Sequence, residues 1–137
     1  MITNKELTFF QYAKKMSHLS DYLGGKCPIG CIAVYKHKVI STGCNKEKTN
    51  PLQAKYNIYR FTENSPHKIH AEIDCLSSLI SSNIDFSKIS LYIYRETKDG
   101  NLALAKPCAS CMALIRHLGI KHIYYTTNNS YCYEKLI

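Results

Sequence analysis

Ile89-Ser90-Leu91-Tyr92-Ile93-Tyr94-Arg95 alternates with a period of two, Leu91 and Ile93 on one side and Tyr92 and Tyr94 on the other. That pattern reads as a β-strand. Downstream, Asp99-Gly100 signals a turn, and residues 102–105 extend or return the strand. Cys108 opens a helix with Met112, Ile115 and Leu118 on its buried face and Gly119 as its stop. Residues 123–126 form a further strand, Asn128-Asn129-Ser130 a turn, and residues 131–136 a short last strand. The link between Thr126 and Tyr131 is too short for a helix, so this strand folds back antiparallel. Upstream, residues 70–82 show helical spacing through Ile73, Leu76, Leu79 and Ile80. Residues 31–35 read as a buried strand, His37-Lys38 as a turn and residues 39–43 as the returning partner. Residues 6–23 place Leu7, Phe10, Met16 and Leu19 on one helix face, and Gly24-Gly25 ends that helix. Residues 45–67 are polar and broken by Pro51 and Pro66, which predicts a long, partly ordered loop. The sum is a three-layer α/β/α sandwich in which helices cover a mixed central sheet.

At 137 residues the chain is expected to be one domain, 1–137, and its hydrophobic fraction of 45% argues against disorder. No secretory signal opens the sequence, and the longest apolar run, residues 29–35, is too short to span a bilayer. A cytoplasmic protein without a membrane partner is therefore expected. Seven cysteines without a signal fit a reducing compartment better than paired disulfides. Cys27 and Cys31 flank Pro28-Ile29-Gly30 but lack further nearby ligands, so they read as buried thiols. A net charge of +8 suits an anionic partner, nucleotide phosphates or a polynucleotide. The positive charge is mostly lysine in a chain rich in Asn, Ile and Tyr, a composition that A+T-rich coding DNA also produces. Charge alone decides nothing.

Two short motifs carry the chemistry. His70-Ala71-Glu72 offers an imidazole and a carboxylate two positions apart, and Pro107-Cys108-Ala109-Ser110-Cys111 offers two thiols at metal-gripping spacing. His70, Cys108 and Cys111 with an unused carboxylate is the inventory of a catalytic Zn2+ site, which leaves one position open for water. Each motif falls where a helix begins, and the partial positive charge of a helix N-terminus favours thiolate at Cys108 and Cys111. Pro107 suits such a boundary. Glu72 is placed to take a proton from the water, pass it on, and help a leaving group depart. The bland alternative is a structural zinc closed by a fourth ligand, Cys44 or Cys75, which leaves Glu72 no task.

The order of hairpin, H-A-E helix, strand, P-C-x-x-C helix and strand over residues 30–126 resembles the cytidine deaminase superfamily. That superfamily includes cytidine, deoxycytidylate, tRNA adenosine and polynucleotide-editing deaminases. The resemblance implies a cytidine deaminase-like fold, Zn2+ on His70, Cys108 and Cys111, and Glu72 as the proton shuttle of a hydrolytic deamination by zinc-bound hydroxide. Gly43-Cys44-Asn45 matches the superfamily's G-x-N, which implies that Asn45 hydrogen-bonds the substrate's sugar or base; the bland reading is a turn residue after a strand. By the same analogy the Ala71 backbone amide faces the base oxygen. Most of the superfamily acts on cytosine, which implies a pyrimidine nucleoside or nucleotide substrate, and relatives often build pockets between subunits of a homo-oligomer.

Some features depart from particular branches. Leu104-Ala105-Lys106 stands where deoxycytidylate and tRNA deaminases usually carry a hydroxyl and an acidic residue. The loop over residues 46–68 is longer than in compact tRNA enzymes, and the chain has no tryptophan for an S-W-S-like patch. An antiparallel last strand resembles free-nucleoside deaminases and some toxin deaminases. Lys46, Lys48, Lys55, Arg60, His67 and Lys68, interleaved with Tyr56, Tyr59 and Phe61, could bind one phosphate or track single-stranded DNA or RNA. They equally suit a solvated loop anchored by its aromatics. Three readings follow: a metabolic cytosine deaminase, a deaminase of single-stranded nucleic acid, and a non-catalytic zinc-stabilised module.

Overall fold

Thr3 fixes where the first helix begins. Its side chain accepts the Glu6 backbone N–H and the Glu6 carboxylate accepts the Thr3 N–H, a reciprocal cap that starts α1 (Asn4–Ser17) two residues earlier than its apolar spacing suggests. The structure, a computed structural model, describes residues 2–21, 28–60 and 68–137. α1 ends at Ser17, short of the expected residue 23, and Leu19 is 67% exposed rather than on the buried face. The expected Gly24-Gly25 stop lies outside the described residues, as does Cys27.

Five strands, β1 (Ile29–Tyr35), β2 (Lys38–Cys44), β3 (Ile89–Arg95), β4 (His122–Thr126) and β5 (Tyr131–Lys135), form one sheet in the order β2-β1-β3-β4-β5. Only β3 and β4 run parallel, and the connection between them carries α4 (Ala109–Leu118). The β1–β2 turn falls on Lys36 and His37, both at positive φ (50° and 66°). It sits one residue earlier than the sequence suggests because Lys38 already pairs with Tyr35. β5 returns antiparallel to β4, as its short link requires.

Strand alternation divides the core between the two faces. Ile32, Val34, Tyr92 and Tyr94 pack against Phe10 and Ala13 of α1. On that face Tyr92 and Tyr124 stack at 4.3 Å with planes 6° apart, and Phe9, Phe10, Tyr131 and Tyr133 extend the ring contacts. Cys31, Ala33, Leu91, Ile93 and Ile123 face the other layer, which holds α3 (Ala71–Ser77) and α4. α4 buries Cys111, Leu114 and Ile115, with Met112 and Leu118 only partly covered, and Gly119 caps it at φ 90°. α3 is shorter than expected, Ser78 being its C-cap and Ile80 39% exposed.

The expected loop over residues 45–67 contains a helix, α2 (Pro51–Tyr56), followed by a 3₁₀ turn, Asn57–Arg60. Asn50 accepts the N–H groups of Leu52 and Gln53, and Pro51 occupies the first turn, where its missing N–H costs nothing. A proline read as a breaker is therefore a helix start. Phe61, Glu63, Pro66 and His67 lie outside the described residues. Segment 102–105 makes a single bridge, Glu96↔Leu102, instead of a strand. It fills the gap beyond β3 and β4, with Ala103 N–H donating to the Arg95 carbonyl and Ala105 N–H to that of Thr126, each at 2.9 Å. The result is the expected three-layer α/β/α arrangement with a mixed sheet. No described helix is long and apolar enough to cross a membrane.

Candidate active site

His70 is the residue before α3 and Cys108 the residue before α4, so two helix N-termini converge on one point. Both take extended N-cap backbone conformations, yet neither side chain caps its helix. The side chains turn toward each other instead: His70 Nδ1 lies 3.5 Å from Cys108 Sγ and 3.3 Å from Cys111 Sγ. The three donor atoms lie within 4.8 Å of one another and are the only such group of three among the described residues. Zinc holds nitrogen at about 2.0–2.1 Å and sulfur at about 2.3 Å in a tetrahedron, which sets donors about 3.6 Å apart. The observed separations and the soft donor set fit that ion.

Cys108 is held as an anion-forming group. Hydrogen bonds with Cys111, His70 and Ser110 push its thiol down to about 3 against the opposing effect of burial. The Ser110 hydroxyl, fully buried, stands 3.1 Å from Cys108 Sγ. Glu72 sits in the first turn of α3 and is only 5% exposed. Burial pushes its carboxyl up to about 7, while the neighbouring His70 pulls the other way. Ala71, fully buried, opens the same helix, where the first backbone N–H groups have no intrahelical partner.

Asn45, 6% exposed, follows β2 on the same end of the sheet. Its Oδ1 accepts the Ile29 N–H at 2.9 Å, and its own N–H donates to the Ile29 carbonyl at 3.2 Å. The side chain thus closes the last rung of the β1–β2 ladder. The two cysteines considered as a fourth ligand are elsewhere. Cys75 packs with Cys31, whose thiol burial pushes well up, and Cys44 caps its strand with an N–H to Asp74 Oδ2 at 3.1 Å.

The residue that sequence reasoning missed is Gln53. It is fully buried, its Oε1 accepts the His70 N–H at 2.9 Å, and its Nε2 donates to Asn57 Oδ1 at 2.8 Å. Asn50-Pro51, taken as an N-cap followed by a first-turn proline, is the signal that could have found it. A second clamp on the same approach joins Lys46 N–H to the Ile69 carbonyl and Ile69 N–H to that of Lys48. The expected basic loop is partly committed to structure. Lys46 pairs with Asp74 at 3.2 Å, and Tyr56 is a buried anchor whose hydroxyl meets His117 Nδ1 at 2.8 Å. Tyr59, 47% exposed, stacks on Tyr56.

The sequence profile described as "Cytidine and deoxycytidylate deaminase zinc-binding region" matches residues 3–127. No curated protein sequence matches the chain. Among solved structures, a cytidine deaminase from Burkholderia pseudomallei superposes with a TM-score of 0.64 at 20% identity, covering 98% of this chain and 93% of that one. A dCMP deaminase from the cyanophage S-TIM5, solved with dCMP and dUMP, gives 0.63 at 21% identity over 91% and 82%. A cytidine deaminase from Mycobacterium leprae gives 0.58 at 16% identity over 90% and 88%. These likenesses concern the fold. With the profile spanning nearly the whole chain and three converging donors that fit Zn2+, the chain belongs to the cytidine and deoxycytidylate deaminase family.

Proposed function

We propose that the protein hydrolyses the exocyclic C4–N bond of cytosine in a pyrimidine nucleoside or nucleotide, releasing ammonia and leaving the uracil form. The observation that carries this reading is a buried carboxylate, Glu72, beside three metal donors that no fourth protein donor completes among the described residues. His70, Cys108 and Cys111 would hold the zinc. When bound, the ion supplies Lewis acidity that lowers the pKa of water from about 15.7 toward about 7.

Glu72 takes a proton from the attacking water and delivers it to the ring nitrogen N3. It then takes the second proton from the hydroxyl added at C4 and delivers it to the amino group, which leaves as ammonia while the C4 carbonyl forms. Its burial suits a carboxyl that must alternately hold and release a proton. The Ala71 backbone N–H, at the positive end of α3, faces the base oxygen. Asn45, fixed in orientation by Ile29, contacts the sugar or base.

The test is a mass-spectrometric screen of zinc-loaded protein against cytidine, deoxycytidine, their monophosphates, adenosine, guanine and short single-stranded DNA and RNA. At least one small cytosine compound is expected to convert. Glu72→Ala is expected to lower kcat by about 10²- to 10⁴-fold while zinc content stays stoichiometric. Conversion undiminished in Glu72→Ala, or none of any cytosine compound, overturns the reading.

A further inference from the structure

We propose that the cleft between the start of α1 and the β1–β2 turn binds a phosphate monoester, at a site separate from the candidate active site and independent of the deaminase reading. A cavity of about 380 Å³ opens there. Val34, Ser90 and Tyr92 of the sheet and Phe9 of α1 line it, together with Lys5, Lys36, His37 and Lys88. Small-molecule sites typically measure about 300–1,000 Å³, so the space admits such a ligand. Val34 pairs with Ser90 where β1 ends and β3 begins, whereas Ile29 and Asn45 mark the end of the sheet nearest the metal donors. About 17 Å of strand separates Val34 from Ile29. The cleft also lies on the α1 face of the sheet, with Val34 and Tyr92, while Cys111 packs on the other. A ligand held here is not the group that reacts beside His70.

The lining is one-sided in charge. Lys5, Lys36, His37 and Lys88 are all exposed, and the one carboxylate among the lining residues is Glu6. Glu6 is engaged, accepting the Thr3 N–H at 2.9 Å and the Tyr124 hydroxyl at 2.8 Å. Among the described residues no carboxylate forms an ion pair with Lys5, Lys36 or Lys88. Lys36 lies over the Tyr35 ring at 5.3 Å. Asp85, the acid nearest Lys88 in the chain, turns Oδ1 to the Ser87 N–H and hydroxyl. Ammonium groups without a counter-charge around a concave surface attract an anion, and low-dielectric walls focus that field. A phosphate monoester brings nearly two negative charges at neutral pH and three acceptor oxygens, which suits three ammonium groups better than a singly charged diester.

The backbone beside the cavity is irregular in two ways. Lys36 and His37 stand at φ 50° and 66°, turn positions that Asn, Asp and Gly fill most readily, so two cationic side chains occupy them at a conformational cost. The β1–β2 register also shifts between Ala33 and Val34, just before the turn, and such bulges re-aim the side chains around them. Both irregularities fall at the cationic lining. Phe9, half-buried and 5.2 Å from the Tyr92 ring, adds an apolar surface beside the charges. A monoester with a flat apolar body therefore fits better than inorganic phosphate. The net charge of +8, which composition alone left unassigned, has one concrete location here.

The experiment titrates zinc-loaded, isotope-labelled protein with phenyl phosphate, inorganic phosphate and the diester methyl phenyl phosphate, following backbone amide shifts by nuclear magnetic resonance. Phenyl phosphate is expected to move the amides of Lys36, His37, Lys88 and Ser90. It is expected to bind about 5-fold tighter than inorganic phosphate, through the ring, and about 10-fold tighter than the diester, through its second charge. Lys5→Gln with Lys88→Gln is expected to weaken phenyl phosphate about 10-fold, and Lys5→Arg with Lys88→Arg to retain it. Both lysines are exposed, and an amide spectrum unchanged elsewhere verifies the fold of each variant. A short oligonucleotide bearing a terminal phosphate separates the sources of the monoester. Tighter binding than phenyl phosphate supports a strand end, and weaker binding supports a free small molecule. Shifts confined to the surroundings of His70 and Cys108 overturn the proposal. So does equal affinity for monoester and diester, or undiminished affinity in the paired Gln variant.

Discussion

Gln53 touches no reacting atom, yet it holds the backbone of His70 from a helix 17 positions earlier in the chain. Its amide satisfies two buried groups at once, the His70 N–H and Asn57 Oδ1. Gln53→Met keeps the volume and removes both hydrogen bonds. It is expected to cost about 1–3 kcal/mol in urea unfolding of the zinc-loaded protein, since a buried donor and acceptor lose their partners. Zinc affinity, read by competition with a chromophoric chelator, is expected to fall about 10-fold or more. Unchanged zinc affinity would show that Gln53 is only a core residue. The three donors that converge, His70, Cys108 and Cys111, were legible in the sequence because metal ligation, the role proposed for them, imposes residue type and spacing. Gln53 was not, because its role is to place another residue's backbone, and that leaves no local pattern.

The same logic acts between elements through two glycines. A Cβ at Gly43 would overlap the Cys75 amide nitrogen and the Ala71 carbonyl oxygen, so α3 seats directly on β2. A Cβ at Gly30 would overlap the Ala13 carbonyl and the Ser17 amide, so α1 seats on β1 from the opposite side. Gly43→Ala and Gly30→Ala are each expected to cost about 1–3 kcal/mol in thermal or urea unfolding, as backbone must move apart. They should part company on metal. Gly43→Ala displaces the helix start that carries His70 and Glu72 and weakens zinc binding; Gly30→Ala leaves zinc affinity near that of wild type. Equal effects on zinc would contradict this division of the sheet. Strand β3 and the helix opening at Cys108 could be read from sequence because period and caps agreed there. Helix α2 could not, because Pro51 signals both an interruption and a first turn, and the Asn50 cap decides between them.

Over the whole molecule, α1 is tied to the sheet by carboxylates. Glu6 accepts the Tyr124 hydroxyl at 2.8 Å, and Glu96 bonds His18 at 2.7 Å and the Tyr94 hydroxyl at 3.0 Å. Burial alone would raise both carboxyls, but the hydrogen bonds win: Thr3 and Tyr124 hold Glu6 below its ordinary 4.5, and His18 and Tyr94 do the same for Glu96. A depressed carboxyl contributes stability that is complete above its unfolded pKa and lost as pH falls through the folded one. The midpoint of thermal unfolding is therefore expected to decline as pH drops below about 4.5. Glu6→Gln with Glu96→Gln should flatten that decline; an equally steep fall in the double variant would assign acid sensitivity elsewhere.

The ring stack under α1 has an optical consequence. The chain holds no tryptophan among its 11 tyrosines, so tyrosine dominates its near-ultraviolet absorption. The closest parallel pair among the described residues, Tyr92 and Tyr124, lies on the α1 side of the sheet, away from the metal donors. Transition moments held face to face couple, and that coupling vanishes when the rings rotate freely. Near-ultraviolet circular dichroism therefore watches chiefly one layer of this molecule. Thiolate-to-metal charge transfer of a substituted cobalt ion would watch the other, and the two chromophores would reveal whether the layers melt together.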